Sequence, residues 1–192
     1  MDQIRTIESK FQTREDGEEK RIEGYFSVFD SNYEIAPGLT ESVDAHAFDR
    51  ALSEDDVRAL INHDTSLVLG RTTAGTLKLR TDDHGLWGSI LINPNDQDAM
   101  NLYSRVKRGD VSQCSFGFEV RDENAEFSED GSEHWTIKDV KLYEVSVCTF
   151  PAYQATHVSA RSAEHDAAAE KDFESWRAKL EASHAWLRKE KD

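Results

Sequence analysis

Apolar and polar positions alternate from Ile22 to Phe29, placing Ile22, Gly24, Phe26 and Val28 on one face, and this period of two predicts a strand. The polar, glycine-containing stretch before it, QTREDGEEK, predicts a hairpin turn or loop. After Pro37-Gly38 the spacing becomes helical. Val43, Ala47, Phe48, Ala51 and Leu52 predict a helix from Glu41 to Leu52 with Thr40 as its cap. The run VRALI then leads into Asn62-His63-Asp64. Short strands are expected at Leu67 to Leu69, Thr76 to Arg80 and Leu86 to Ile92, punctuated by Gly70, Gly75 and the Asp82-Asp83-His84-Gly85 turn. Asp96 to Arg108 carries the clearest helical stripe, in Ala99, Leu102, Tyr103 and Val106. Asn95 or Asp96 caps its start, Lys107 and Arg108 suit its C-terminal dipole, and Gly109 ends it. Two further strands, Val111 to Val120 and Lys138 to Phe150, flank an acidic segment, DENAEFSEDGSEH, expected as an exposed loop or hairpin.

From about Ala160 strand formers disappear and Ala, Glu, Lys and His dominate. The reading is therefore a main domain over residues 1–160 and a charged amphipathic helical tail over 161–192. Phe173, Trp176, Leu180 and Leu187 form one apolar face of that tail. The stripe suits an interaction helix, packing on the chain's own domain, or pairing with a second copy in a homo-oligomer.

Charge narrows the partners. The chain of 192 residues has 38 acidic against 23 basic side chains, a formal net charge of −15. That argues against nucleic acid and anionic membranes, which call for clustered Lys and Arg. The opening residues, MDQIRTIESKF, contain no apolar run of signal or anchor length, so a soluble intracellular protein is expected. Both cysteines, Cys114 and Cys148, lie in apolar runs and are expected as buried free thiols rather than a disulfide. There is no Cys-x-x-Cys, His-Glu-x-x-His, phosphate-binding glycine loop or Gly-x-Ser-x-Gly elbow, so neither metal nor cofactor is implied.

Strand alternation within VSQCSFGFEV places Ser112, Cys114, Phe116, Phe118 and Val120 on a core face. Gln113, Ser115, Gly117 and Glu119 fall on the other, so Ser115 is expected to face solvent or a cleft, and Gly117 to admit substrate backbone. From this segment alone an ordinary strand serine is the favoured reading. In LYEVSVCTF apolar residues occupy both faces, which marks a central strand where Glu144 is costly unless paired. Glu144 suits either an imidazole partner or an arginine partner at the rim. His63 ends an apolar run, and an imidazole titrating near neutrality can take a serine proton and return it to a leaving amine.

The ordered segments Gly24-Tyr25-Phe26-Ser27-Val28-Phe29, Ile61-Asn62-His63-Asp64 and Leu69-Gly70-Arg71-Thr72 continue with Asp83-His84-Gly85-Leu86 and Ser112-Gln113-Cys114-Ser115-Phe116-Gly117-Phe118. They end with Tyr143-Glu144-Val145-Ser146-Val147-Cys148-Thr149-Phe150-Pro151-Ala152. Together they resemble the prohead serine proteases of tailed phages, related in fold to herpesvirus assemblin, over roughly residues 20–156. The resemblance implies an α+β fold, a small, mostly antiparallel β-barrel surrounded by helices, to which the helical tail read from composition is added. It also implies an endopeptidase that cuts scaffold protein, or the scaffolding segment of the capsid protein, and itself, inside the immature prohead in the host cytoplasm. His63 and Ser115 match the family's base and nucleophile. Glu144 matches the third member, although assemblin-like enzymes have a second histidine there. Gly70, Arg71 and Thr72 are candidates for stabilising the oxyanion. Two alternatives stand beside this reading: a non-catalytic β-barrel that serves as a scaffold or capsid-assembly module, and an esterase or amidase using the same pair.

Overall fold

The computed structural model describes residues 3–8, 12–16 and 19–150. These lie in the first of two units, Met1–Gln154; the tail expected over 161–192, with Phe173, Trp176, Leu180 and Leu187, lies outside the described residues. The described chain forms eleven strands and two helices: β1 (Gln3–Glu8), β2 (Gln12–Asp16), β3 (Glu19–Val28), β4 (Tyr33–Ala36), β5 (Leu39–Val43), α1 (Asp49–Glu54), β6 (Arg58–Ile61), β7 (Asp64–Arg71), β8 (Leu77–Thr81), β9 (Gly85–Ile92), α2 (Gln97–Arg108), β10 (Gln113–Phe127) and β11 (Glu133–Cys148).

Seven strands make one sheet, in the order β1-β10-β11-β5-β4, with β6 also paired to β11 and β7 to β6. The other four make a second sheet, β2-β3-β9-β8. Pairing is antiparallel except where β5 and β6 run parallel to β11. The expected α+β, helix-surrounded barrel is therefore corrected to a mostly β fold with no closed barrel among the described residues. Closure requires the outermost strands of a sheet to pair with each other. Here β1, β4 and β7 end the larger sheet, β2 and β8 end the smaller, and two helices cannot surround either.

A core fills the space between the sheets. Ile22 and Phe26 of β3, Leu86 and Ile90 of β9, and Phe116 and Phe118 of β10 are almost completely buried in it. Phe48 lies edge-on to Phe116 with centroids 5.6 Å apart, and Phe116 stacks on Phe118 at 4.8 Å. Helix α2 follows its sequence signals. Asp96 accepts hydrogen bonds from the amides of Asp98 and Ala99, the expected stripe is buried, and Gly109 ends the helix in the left-handed region at φ 88°.

The helix expected from Glu41 to Leu52 is shorter, because Leu39–Val43 pairs as β5 with β4 and β11. Thr40, expected as a cap, instead shares a hydrogen bond with His134 Nδ1 at 2.8 Å. Tertiary pairing has overridden local periodicity there. The acidic segment becomes a long hairpin of β10 and β11, turned where the Ser128 amide donates to the Ser132 carbonyl at 2.9 Å. Asp55 braces β11 by accepting from the Leu142 amide at 2.8 Å and from Arg121 at 3.1 Å.

Candidate active site

The site is built on three neighbouring strands. In the β10–β11 ladder, Gln113 stands opposite Cys148, Ser115 opposite Ser146, and Gly117 opposite Glu144. Opposed residues project from the same face, so Ser115, Ser146, Glu144 and Cys148 share one side of the sheet. The other side holds Phe116, Val145 and Val147 in the core. On the far side of β11, β6 runs parallel, with Ser146 beside Leu60 and Val147 beside Ile61.

His63 arrives from β6 through a tight turn. Asn62 and His63 connect the paired residues Ile61 and Asp64, with φ of 50° and 61°. Two successive left-handed residues give a turn of the type I′ class, which suits strand twist but strains a side chain bearing a Cβ. Neighbouring groups hold it. The Asn62 amide donates to the Val147 carbonyl at 3.1 Å, and Asn62 Oδ1 accepts from the Thr149 amide at 2.8 Å. The His63 amide donates to Ser146 Oγ at 3.2 Å.

This turn swings the imidazole over β11. His63 Nδ1 lies 2.7 Å from Glu144 Oε1, and the two side chains are 22% and 13% exposed. Of the two partners weighed for Glu144, the structure supplies the imidazole; Arg58, its neighbour on β6, pairs with Asp56 at 3.1 Å. A carboxylate only accepts hydrogen bonds, so Nδ1 is the donor of this pair, an arrangement that in a neutral ring leaves the lone pair on Nε2. Ser146 Oγ donates to the other carboxylate oxygen, Oε2, at 2.5 Å. Gly117 sits beneath the same carboxylate, where a Cβ would overlap Oε1.

Cys148 Sγ lies 3.8 Å from His63 Nε2. A cysteine and a histidine this close resemble a nucleophilic pair, but burial, with a further push from the Glu144 charge, raises the Cys148 thiol from 9.0 to about 12. It is therefore a thiol near neutrality, not a thiolate nucleophile. Cys114 is also a buried thiol outside any disulfide, donates to the Tyr25 carbonyl at 2.9 Å and lies across from Val147 on the core side, as expected from its apolar run.

Ser115 occupies the predicted face but not the predicted exposure, being completely buried. Its strand is flanked by β1 on one side, with Thr6 opposite Ser115, and by β11 on the other. Gly70, Arg71 and Thr72 lie on or just beyond edge strand β7, which reaches β10 only through β6 and β11. The Arg71 guanidinium forks onto Asp56, contacting it through Nε at 2.8 and 3.0 Å, and holds that carboxyl well below its ordinary range. The Arg71 amide donates to Thr76 Oγ1 at 2.9 Å and the Thr72 amide to the Val57 carbonyl at 3.0 Å. Sequence reasoning did not single out Ser146 or Asn62. The polar Glu144-x-Ser146 spacing on one strand face was the available signal for Ser146, since it sets a hydroxyl beside a carboxylate.

A half-buried carboxylate that orients an imidazole is the acid–base part of a Ser-His-acid arrangement. Residues 8–171 match the family described as caudovirus prohead serine protease, and the chain belongs to that family. It is 30% identical over 168 residues to the prohead protease of Enterobacteria phage HK97, a match that covers 84% of this chain and 68% of that protein. Its fold is similar to that of the capsid assembly protease of bacteriophage T4, with a TM-score of 0.53, 10% identity, and coverage of 77% of this chain and 96% of that one.

Proposed function

We propose that this protein is the endopeptidase that cuts scaffold protein, or the scaffolding segment of the capsid protein, and itself during prohead maturation, with Ser115, His63 and Glu144 as its triad. The observation that carries the reading is the 2.7 Å contact from His63 Nδ1 to Glu144 Oε1, made over the strand face that holds Ser115. Family membership and the name of the related phage prohead protease support this substrate class.

In this mechanism Glu144 fixes the tautomer with Nδ1 protonated. His63 Nε2 takes the Ser115 proton as Oγ attacks the scissile carbonyl, and the resulting imidazolium is stabilised by Glu144. Collapse of the tetrahedral intermediate passes that proton to the leaving amine and leaves an acyl-enzyme on Ser115. Water, deprotonated by His63, then frees the new carboxyl group and restores the serine. Because Ser115 is completely buried, a substrate carbonyl requires a local opening of this face. No part is given to Gly70, Arg71 or Thr72, since the Arg71 and Thr72 amides and the Arg71 guanidinium are already engaged.

The burial of Ser115 favours a second reading, a non-catalytic assembly module. Co-expression of the full chain with the capsid protein of the same phage separates the two. Mass spectrometry should find processed capsid protein with the wild type and intact capsid protein with Ser115→Ala. Identical fragments from both would remove Ser115 from the mechanism.

A further inference from the structure

We propose that Ser146 is the positioning residue of this site, a single hydroxyl that locks both the carboxylate and the backbone of the catalytic histidine; the inference rests on the triad reading given above. A serine hydroxyl has one proton and two lone pairs. The Ser146 proton is directed to Glu144 Oε2 at 2.5 Å, the short range of a hydroxyl bound to a carboxylate. A lone pair of the same oxygen accepts the His63 amide at 3.2 Å. The carboxylate is thus held at both oxygens, Oε1 on the imidazole and Oε2 on Ser146, which sets its plane relative to the ring.

The second bond matters because of where His63 sits. It is in the left-handed region at φ 61°, and the ladder across the hairpin resumes only with the Ile61–Asp64 pair. Ser146 gives the His63 amide a partner inside the fold, stabilising the strained turn at the residue that carries the base. The anchor is itself rigid: Ser146 is completely buried, paired with Ser115 on one side and beside Leu60 on the other. The same geometry separates the roles of the two facing serines. The Ser146 proton points at Glu144, so Ser146 holds the base's partner and is not the hydroxyl that His63 deprotonates.

The test compares wild type, Ser146→Ala, Ser146→Thr and Ser115→Ala as full chains, with the capsid protein of the same phage as substrate. Ser146→Ala should stay folded, lower kcat by roughly 10- to 100-fold, as expected for loss of a hydrogen bond to a charged group, and change KM by less than about twofold. The downfield proton NMR signal of His63 Nδ1–H should shift or broaden away in Ser146→Ala. Ser146→Thr, which keeps the hydroxyl, should recover most of both the rate and the signal. A folded Ser146→Ala variant with wild-type kcat and an unchanged His63 signal overturns the positioning role, as does a folded Ser146→Thr variant that loses both. Ser115→Ala distinguishes the two levels of failure. If it abolishes cleavage while Ser146→Ala is silent, only the Ser146 role is lost; if it still cleaves, the triad reading fails and takes the Ser146 role with it.

Discussion

Gly117 and Glu144 stand opposite each other on β10 and β11, and the room a Cβ would need at Gly117 is filled by Glu144 Oε1. The glycine is there to seat the carboxylate rather than to make a turn. Gly117→Ala should therefore push the Glu144 carboxylate off His63 and Ser146 and leave the strand in place. Thermal unfolding should show a loss of about 1–3 kcal/mol, the range for disturbing a hydrogen bond to a charged group. Capsid protein cleavage should fall by roughly tenfold or more, because the carboxylate no longer meets Nδ1 squarely. A variant cleaving at the wild-type rate would show that Glu144 needs no such seat.

Glu144→Gln tests the charge at nearly constant shape. The amide can still fill the space between His63 and Ser146, but it offers N–H donors where the carboxylate only accepted. An amide nitrogen turned toward His63 would favour the tautomer with Nδ1 unprotonated, and either orientation removes the charge that stabilises the imidazolium. We expect kcat to drop by about two to four orders of magnitude with little change in KM. Retention of more than about half of the wild-type rate would demote Glu144 to a structural partner.

The site was legible in the sequence to the extent that strand periodicity reports faces. Alternation put Ser115 and Gly117 on one side of their strand, and the register matches that side. Helix α2 was legible because cap, stripe and C-terminal glycine all agree. What periodicity does not report is which strands pair. Glu41 and Ser42 follow a helical pattern locally yet are drawn into β5 by β4 and β11. The burial of Ser115 was hidden for a related reason, since its cover depends on flanking strands rather than on its own segment. Ser146 was missed because it stands out only by its two contacts, one of them with the backbone amide of a residue 83 positions away.

The thiols give a pH-dependent check. Cys148, raised to about 12 by burial and by the Glu144 charge, should be protonated in the folded protein wherever an ordinary thiol has begun to ionise. At about pH 9, iodoacetamide should label the native protein far more slowly than the urea-unfolded chain, which exposes both cysteines. The sign for stability follows from the same shift. Below the unfolded value of 9.0 both states hold the proton and the group is neutral in the balance. As pH rises from 9.0 toward about 12 the unfolded chain releases it first, so stability falls through that window. Cys148→Ala should flatten this part of the stability curve; rapid native labelling of Cys148 at neutral pH would contradict its enclosed position.

The Asn62-His63 turn offers the last test, because Asn62 combines a left-handed backbone with a side-chain clamp. It sits at φ 50°, and its Oδ1 accepts the Thr149 amide at 2.8 Å. Asn62→Gly relieves the backbone strain but removes the clamp, whereas Asn62→Ala removes the clamp and keeps the strain. Denaturant unfolding should therefore rank wild type above Gly and Gly above Ala, with Ala destabilised by about 1–3 kcal/mol. Activity should follow the clamp rather than the backbone. Both variants loosen the hold of the turn on the end of β11, and with it the direction of the His63 ring, so both should lose kcat even where Asn62→Gly is nearly as stable as wild type. Full activity in Asn62→Gly would mean that the Ser146 and Glu144 contacts alone suffice to aim His63.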